Sequence, residues 1–431
     1  MHRLLYLAPF IVAIVDVLGY VQIQVSATTL LIVTITVLLV LDIHRALRIG
    51  RLLFRVRNSV VFLTACLLLV AGFAAAIVAA DSSSYDGPGA LYVAITPYVM
   101  FFPCVWIVIT QRMDKQRLLN VLDITTRVAL TADIVISILQ IGYLTFIDPS
   151  GYIFVANQRL NSVAQFSDIR LVGLFASGLD HGFFLSISAL LLWVMAAEGI
   201  VGKTRFLISL VVISVLVYFT YTRTAYIVYI FVISMMIGRR VMRRFGVAGL
   251  IAIVVLIGIF SGIMFAALDA ERAVSGLVKT RSLLNLQTLE SRYGSWAYYQ
   301  NYLEQTPESL LVGGGILQSS FPFIKSPPPL IDNLYLSLLL YGGVGFLLSY
   351  SAYMSHFAYI FFSAFRRRAV SEFDKRLYLS LSASVVIVAT AGCSATVWDL
   401  LSIGLPATVL WALGWSYRRE LGRLSGIGGL V

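Results

Sequence analysis

The sequence predicts an all-α polytopic membrane protein. Of its 431 residues, 59% are hydrophobic and only 12% are charged, a balance too apolar for a soluble domain of this length. Apolar runs of roughly 18 to 25 residues recur along the chain, and each is long enough to cross the hydrocarbon core of a bilayer. These runs are continuous rather than alternating, which excludes a transmembrane β-barrel.

The net charge of +11 is explained by membrane topology rather than by nucleic-acid binding. Most Lys and Arg residues fall in short segments between the apolar runs, and the positive-inside rule places such segments in the cytoplasm. They are Arg3, 44–57, 112–117, 203–205, 239–244, 366–376 and 418–423. We therefore expect the lipid bilayer, and no nucleic acid, as a partner.

About twelve spans are predicted within a single membrane domain, 1–431. Their ranges are 4–22, 27–43, 59–80, 90–110, 126–147, 171–197, 206–220, 225–238, 246–267, 333–362, 377–395 and 398–416. Both chain ends then lie on the cytoplasmic side. A large outer loop, 268–332, separates spans 9 and 10.

The outer loop contains one predicted helix, 290–305, with an unusual aromatic pattern. Tyr293, Trp296, Tyr299 and Tyr302 recur at three-residue spacing, which is typical of an amphipathic aromatic face. Two interpretations remain open and are compatible. The helix is anchored at the membrane interface by its aromatic rings, or its rings form a platform that stacks on sugars.

Positive charge on the outer face opposes the insertion bias, and a polyanionic substrate would explain it. Arg170 lies at the outer mouth of span 6, Arg223 lies in the YTRTAY turn, and Arg292 lies on the loop helix. A guanidinium binds phosphate oxygens through two parallel hydrogen bonds, so these arginines could hold a lipid diphosphate. The alternative is that they snorkel to the interface. No Asp-rich metal motif faces outside, so we expect a mechanism without metal or cofactor.

Asp332 and Asn333 stand where span 10 enters the membrane after the Pro-rich SPPPL turn. Asp332 is the candidate general base, or it orients an acceptor hydroxyl, or it caps the helix. Asn333 either bonds a sugar hydroxyl or satisfies the same helix start. The nearby glycines, 313–315 and 342–345, permit tight turns and close helix packing.

Other polar residues lie inside the predicted spans. His181 and Asp180 form a pair that suggests proton transfer, although such a pair is more often structural. Asp16 and Asp133 are further buried acids. The cysteines lack metal or redox spacing and are expected to be buried thiols; they are Cys66, Cys104 and Cys393.

These motifs resemble, in their order, the bacterial O-antigen ligase and Wzy-type polysaccharide polymerase superfamily. The first two matching elements are Arg170-Leu171-Val172-Gly173 and Thr222-Arg223-Thr224. Arg292 before Trp296 and Pro307 before Gly313 to Gly315 follow. Asp332-Asn333 then precedes Tyr335-Leu336 and Gly342 to Gly345. The resemblance covers 170–346.

The resemblance implies a GT-C-type glycosyltransferase of the bacterial inner membrane whose active site faces the periplasm. Donor and acceptor would be undecaprenyl-diphosphate-linked oligosaccharide repeat units, joined into an O-antigen or exopolysaccharide. Arg170, Arg223 and Arg292 would hold the departing diphosphate, and Asp332 would act on the attacking hydroxyl. Asn333, Tyr335 and the aromatic residues Tyr293, Trp296 and Tyr299 would bind sugar. A chain-length regulator protein is a further partner that the resemblance admits.

Two alternatives to a polymerase remain. Ligases that transfer glycan to lipid A core resemble one another in a His at the position of Asp332, so Asp there favours a polymerase. The Pro-Asn pair that usually follows the Arg-x-x-Gly motif in the family is missing, and Gly178-Leu179 stands near there instead. A transporter or flippase for lipid-linked sugar would instead depend on the buried acids Asp16, Asp133 and Asp180, although no internal repeat typical of transporters is evident.

Overall fold

The computed structural model describes residues 1–20, 27–48, 60–81, 87–146, 171–175, 177–220, 222, 224–239, 287–316, 329, 331, 333–366, 371–392 and 401–424. Across these ranges the chain is helical and contains no strand. The helices are α1 (Leu4–Tyr20), α2 (Ala27–Arg48), α3 (Val60–Asp81), α4 (Gly87–Thr110), α5 (Lys115–Thr125), α6 (Thr131–Phe146), α7 (Gly178–Ala197), α8 (Lys203–Phe219), α9 (Thr224–Arg239), α10 (Gln287–Gln305), α11 (Glu308–Val312), α12 (Leu334–Arg366), α13 (Glu372–Gly392) and α14 (Leu401–Leu424). A π-helical turn, Thr126–Leu130, joins α5 to α6.

The predicted spans coincide with these helices except for the ninth, 246–267, which lies outside the described residues. Four helical segments in the described part are long and apolar enough to cross a membrane, namely Val93–Thr110, Lys115–Gly142, Gly178–Ala197 and Leu334–Arg366. Span 6 differs from the prediction because its helix begins at Gly178 rather than at 171. The all-α membrane class is confirmed, whereas the number of spans stays a prediction.

The helices expose large apolar side chains that a soluble protein would bury. Val70, Ile77, Leu139, Leu207 and Leu348 are all more than half exposed. They come from four helices, α3, α6, α8 and α12, so the apolar surface is spread over several elements rather than gathered in one binding patch. Lipid tails are the natural solvent for such a surface. The protein is therefore a helical membrane protein.

The chain divides by its internal packing into two compact units. Unit 1 comprises Met1–Thr131, Val194–Val201 and Ser295–Val431. Unit 2 comprises Ala132–Trp193 and Gly202–Gly294. In unit 1, α4 packs against α2, α3 and α14, and α12 packs against α3 and α13.

The Tyr341 hydroxyl of α12 satisfies a backbone carbonyl that a proline leaves without a donor in α4. Pro97 lacks an N–H, so the carbonyl of Val93 one turn earlier loses its normal helical donor. The Tyr341 hydroxyl donates to that carbonyl at 2.8 Å. A Cβ on Gly72 of α3 would lie 2.1 Å from the Pro97 ring. Glycine at 72 therefore allows α3 to approach this point closely.

Aromatic rings fill the interior between α4, α12 and α14. Tyr353 meets Phe101 edge-on at 5.6 Å between ring centroids and Phe357 at 4.9 Å, and Phe357 meets Trp411 at 5.7 Å. Cys104 lies beside them, with its Sγ 3.1 Å from the Tyr353 hydroxyl.

Only one of the three cysteines is shown to be a fully buried thiol. Cys104 is buried as expected, whereas Cys66 is only partly buried. Cys393 lies outside the described residues. The expectation of three buried thiols therefore holds in the described part for Cys104 alone.

Several predicted cytoplasmic segments meet at one end of unit 1. Lys115 forms an ion pair with Glu198 at 2.8 Å and also lies over the Phe373 ring. The Tyr417 hydroxyl donates to Asp374 at 2.6 Å. These residues come from segments far apart in sequence, so their meeting agrees with the shared side that charge placement predicts.

Candidate functional site

Helix α12 is interrupted near its start, at two glycines. Gly342 has φ −130° and Gly343 has φ 68°, both outside helical geometry. The interruption leaves the carbonyls of Leu340 and Tyr341 without their usual helical donors. Backbone polar groups at membrane depth must be satisfied within the protein, so a partner is required here.

The glycine segment that follows α11 supplies that partner. Gly314 N–H donates to the Leu340 carbonyl at 2.8 Å, and Gly315 N–H donates to the Tyr341 carbonyl at 3.0 Å. Ile316 N–H adds a longer bond, 3.4 Å, to the Leu340 carbonyl. The two glycine motifs noted in the sequence are therefore two halves of one joint, which we call the glycine joint (313–316 and 340–343).

Close backbone approach explains why this joint needs glycine. A Cβ on Gly343 would lie 2.3 Å from the Leu311 carbonyl oxygen, and a Cβ on Gly313 would lie 2.3 Å from the Tyr341 carbonyl oxygen. Both residues also have positive φ, 68° and 80°, which other residues adopt only with strain. The joint thus ties segment 313–316 to the start of α12.

Helix α10 confirms the helix predicted at 290–305, and Tyr299 anchors it. Tyr299 is 1% exposed and packs in a small core with Ile331 and Leu340. Its hydroxyl donates to the carbonyl of Pro329. Burial, followed by the neighbouring Tyr298, raises the pKa of the Tyr299 hydroxyl above its usual value. Burial therefore favours the protonated, hydrogen-bond-donating form of this hydroxyl.

An open groove of about 660 Å³ runs between α10, α11 and α12. Its apolar wall consists of one proline and five leucines: Leu303, Pro307, Leu310, Leu336, Leu339 and Leu347. The volume falls within the range of small-molecule binding sites. The groove is therefore the candidate substrate site of unit 1.

Polar and aromatic groups line the other parts of the groove. Trp296, Gln300 and Glu304 come from α10, where their four-residue spacing places them on one helical face. Asn333 and Tyr335 come from the start of α12. The structure thus brings three sequence-predicted sugar-binding residues, Trp296, Asn333 and Tyr335, to one groove.

Asn333 and Tyr335 also hold the start of α12 in place. The Asn333 Oδ1 accepts the backbone N–H of Leu336 at 3.1 Å, which is an N-cap bond. The Tyr335 hydroxyl donates to the carbonyl of Ala389 on α13 at 2.8 Å. With these atoms engaged, the Asn333 amide NH₂ and the Tyr335 ring are the parts best suited to a ligand.

The aromatic face expected on α10 is divided in the structure. Trp296 lines the groove, whereas Tyr299 is buried in the core and Tyr302 packs against that core. A three-residue spacing rotates each successive side chain by about 60° around an α-helix, so the rings turn away from the groove along the helix. Tyr299 therefore supports the groove from beneath rather than lining it.

The predicted catalytic residues fall outside what the structure describes. Asp332, Arg170 and Arg223 lie outside the described residues. Arg292 and Tyr293 belong to α10, but their side chains lie outside the described part. Their roles stay predictions.

Unit 2 contains a buried polar network that was not predicted from the sequence. Asp133 and His181 are both fully buried, and Asp133 Oδ2 lies 2.9 Å from His181 Nε2. Asp133 Oδ1 accepts the backbone N–H of Leu174 at 3.0 Å. Ser137 Oγ lies 3.3 Å from the same His181 nitrogen. The sequence suggested a pair between His181 and the adjacent Asp180. The structure instead pairs His181 with Asp133.

This network holds the irregular segment 171–175, which replaces the first turns of predicted span 6. Gln140 accepts the Gly173 N–H at 2.9 Å and donates to the Gly173 carbonyl at 3.1 Å. A Cβ on Gly173, whose φ is 58°, would lie 2.2 Å from Asp133 Oδ1. We call Asp133, Gln140 and His181 the polar clamp. It explains the glycine of the Arg-x-x-Gly motif.

The two described motif segments of unit 2 lie against the same glycine. A Cβ on Gly178 would lie 3.2 Å from Thr222 Oγ1 and 3.3 Å from the Leu171 carbonyl. Leu171 N–H also donates to the carbonyl of Phe219 at 3.0 Å. Leu171 follows Arg170 in the sequence, and Thr222 precedes Arg223. Glycine at 178, where the resemblance led us to expect Pro-Asn nearby, is explained by this close packing.

Two groups of functional candidates had a signal that the sequence reasoning missed. Asp133, Ser137 and Gln140 stand at i, i+4 and i+7 of an apolar helix, so they share one buried face. Gln300 and Glu304 continue the four-residue stripe that begins at Trp296. In both groups the helical period of the polar residues carries the information.

A scan against protein-family models gives no match for this chain, and a search of curated proteins gives none at the significance required. The class that the described residues define is a helical membrane protein with an open groove beside a broken helix. The resemblance to the ligase and polymerase superfamily accordingly rests on the motifs themselves.

Proposed function

We propose that the protein is a polysaccharide polymerase of the GT-C type in the bacterial inner membrane, acting at the periplasmic face. It joins undecaprenyl-diphosphate-linked oligosaccharide repeat units and needs no metal. The observation that carries the proposal is the groove that gathers Trp296, Asn333 and Tyr335 beside the broken helix α12. Aromatic and amide side chains over an apolar wall suit a ligand that has both sugar and lipid character.

In the proposed reaction a hydroxyl at the non-reducing end of one repeat unit attacks the anomeric carbon of the other chain. The bond between that carbon and the diphosphate oxygen breaks, and undecaprenyl diphosphate leaves with the electron pair. Arg170, Arg223 and Arg292 stabilise its charge. Asp332 accepts the proton of the attacking hydroxyl, or it orients that hydroxyl while the proton passes to the departing diphosphate. The groove holds sugar through Trp296, Asn333 and Tyr335.

The proposal is tested with purified protein and synthetic undecaprenyl-diphosphate repeat units, without metal or nucleotide. We expect a ladder of products on a gel, each longer by one repeat unit. If added lipid A core is glycosylated and no ladder forms, the protein is a ligase. If neither product forms with a well-folded protein, the enzyme proposal is overturned in favour of transport.

Transport is the second candidate, because two observations favour it. Interrupted helices frequently form substrate sites in transporters, and α12 is interrupted at Gly342 and Gly343. A buried acid, Asp133, also lies within a candidate span. However, both oxygens of Asp133 are engaged by protein groups, Leu174 N–H and His181, which is more typical of a structural carboxylate than of a carrier site.

A further inference from the structure

The groove contains a single charged residue among the described residues that line it, and that residue is acidic. Glu304 shares one face of α10 with Gln300 and Trp296. Gln300 Nε2 donates to Glu304 Oε1 at 3.0 Å, which orients the carboxylate. An ionised carboxylate only accepts hydrogen bonds, and it has two oxygens with which to do so.

The chemistry of this face limits what it can bind. A carboxylate repels a diphosphate or a carboxylated sugar, because bringing like charges together disfavours binding. It favours a ligand with several hydroxyl donors. The indole of Trp296 offers an apolar surface for the C–H face of a sugar ring, and the amide of Gln300 offers both a donor and an acceptor.

We propose that Trp296, Gln300 and Glu304 form a subsite for a neutral sugar of the substrate, and that Glu304 excludes acidic sugars from it. This inference rests on the proposed function and deepens it, because it names the chemical class of the sugar next to α10. It also separates two tasks along α10: Arg292, about three helical turns before Glu304 on the same four-residue stripe, is one of the arginines proposed to hold the diphosphate, and the part of the groove beside Glu304 reads hydroxyl groups. Glu304 is thus a specificity-determining residue.

The test compares two synthetic undecaprenyl-diphosphate disaccharides that differ only at the terminal sugar, glucose in one and glucuronic acid in the other. Their dissociation constants are measured by titration calorimetry with the full-length protein in nanodiscs. The wild type should bind the glucose probe about tenfold or more tightly than the glucuronic acid probe. Glu304→Gln should bring the two affinities to within about twofold, because it removes the charge and keeps the shape.

Glu308→Gln is the matched control. Glu308 is an exposed carboxylate four residues beyond Glu304, at the start of the next helix α11, and it does not line the groove. Its loss should leave the preference for glucose unchanged. Equal affinity of the wild type for both probes, or an unchanged preference in Glu304→Gln, overturns the inference.

Undecaprenyl diphosphate without sugar distinguishes a sugar subsite from a lipid groove. Trp296→Ala should weaken both disaccharide probes about equally and leave the bare lipid diphosphate unaffected. If the bare lipid is weakened as much, the groove binds hydrocarbon and the inference is overturned. If the wild type makes no polymer yet prefers glucose through Glu304, the polymerase proposal is overturned and the sugar subsite stands. If the wild type makes polymer but Glu304→Gln does not change the preference, the polymerase proposal stands and the sugar subsite is overturned.

Discussion

At the scale of single residues, the glycines and the arginines act through different physical effects. Glycines at 173, 313 and 343 have positive φ, and a Cβ at each would strike a carboxylate or a backbone atom. Their role is steric and is read directly from the backbone. The arginines act through charge, and their proposed role depends on a substrate.

Gly343→Ala should destabilise the protein, because the added Cβ meets the Leu311 carbonyl and the residue keeps a positive φ. We expect a loss of about 2 kcal/mol or more, seen as a lower midpoint of thermal unfolding in detergent. Gly345→Ala is the matched control, since a Cβ there meets nothing within 4 Å. Equal midpoints for the two variants would contradict the role of the glycine joint.

Arg170→Ala and Arg292→Ala should each abolish long glycan and leave single repeat units on lipid, because the leaving diphosphate loses its counter-charge. Arg→Lys at either position should fail as well, since Lys lacks the bidentate fork. Glycan length is read on a gel from cells that carry each variant. Arg127→Ala, which removes an exposed Arg paired with Asp123, is the control and should give normal polymer. Normal polymer length in both test variants would remove the leaving-group role.

At the scale of elements, the groove and the polar clamp each depend on an irregular helix. Helix α12 is interrupted, and helix α7 starts later than the sequence predicts. The break in α12 is satisfied by the 313–316 segment, and the delayed start of α7 is compensated by the polar clamp on segment 171–175. Irregular backbone within a membrane protein persists only where such partners exist. The elements are therefore stabilised by contacts between segments rather than by their own propensity.

Gly173→Ala tests the clamp, because the new Cβ would overlap Asp133 Oδ1 and lie 2.8 Å from His181 Nε2. We expect a lower thermal midpoint, by an amount equivalent to about 2 kcal/mol or more, and less folded protein in the membrane. Gly142→Ala on α6 is the control, since a Cβ there meets nothing within 4 Å. A Gly173→Ala variant as stable as this control would show that the clamp does not constrain the segment.

At the scale of the whole molecule, charge placement and packing agree about which segments share a side. Lys115, Glu198, Phe373 and Asp374 meet at one end of unit 1, and all belong to or adjoin segments predicted to be cytoplasmic. The positive-inside rule fixes orientation through insertion, whereas packing only requires that the segments be neighbours. Two independent arguments therefore lead to the same grouping.

Cysteine labelling in intact cells tests the orientation. In a variant that lacks Cys66, Cys104 and Cys393, we introduce Gln116→Cys or Glu308→Cys, both at exposed positions. A membrane-impermeant maleimide should label the Glu308→Cys protein and not the Gln116→Cys protein until the membrane is opened. The opposite pattern would place the groove in the cytoplasm and contradict a periplasmic polymerase.

The sequence by itself determined the class of the protein, the helical segments and the residues worth attention. Apolar runs of bilayer length and the polar breaks between them are local properties, so they could be read without a structure. The same holds for the loop helix at 290–305 and for the presence of glycine at 173, 313–315 and 342–345. Local signals also predicted Trp296 and Asn333 as sugar-binding candidates, and the family resemblance added Tyr335.

Only the tertiary structure decided which of these residues meet. Gly314 bonds the Leu340 carbonyl, and Asp133 rather than Asp180 pairs with His181. Tyr299 is buried, while Glu304 lines the groove. All of these arrangements depend on contacts between distant segments. Such contacts are set by side-chain packing and by the need to satisfy every buried backbone group. No local pattern in one segment specifies its partner in another, so the joint, the clamp and the polar face of the groove became visible only in the folded chain.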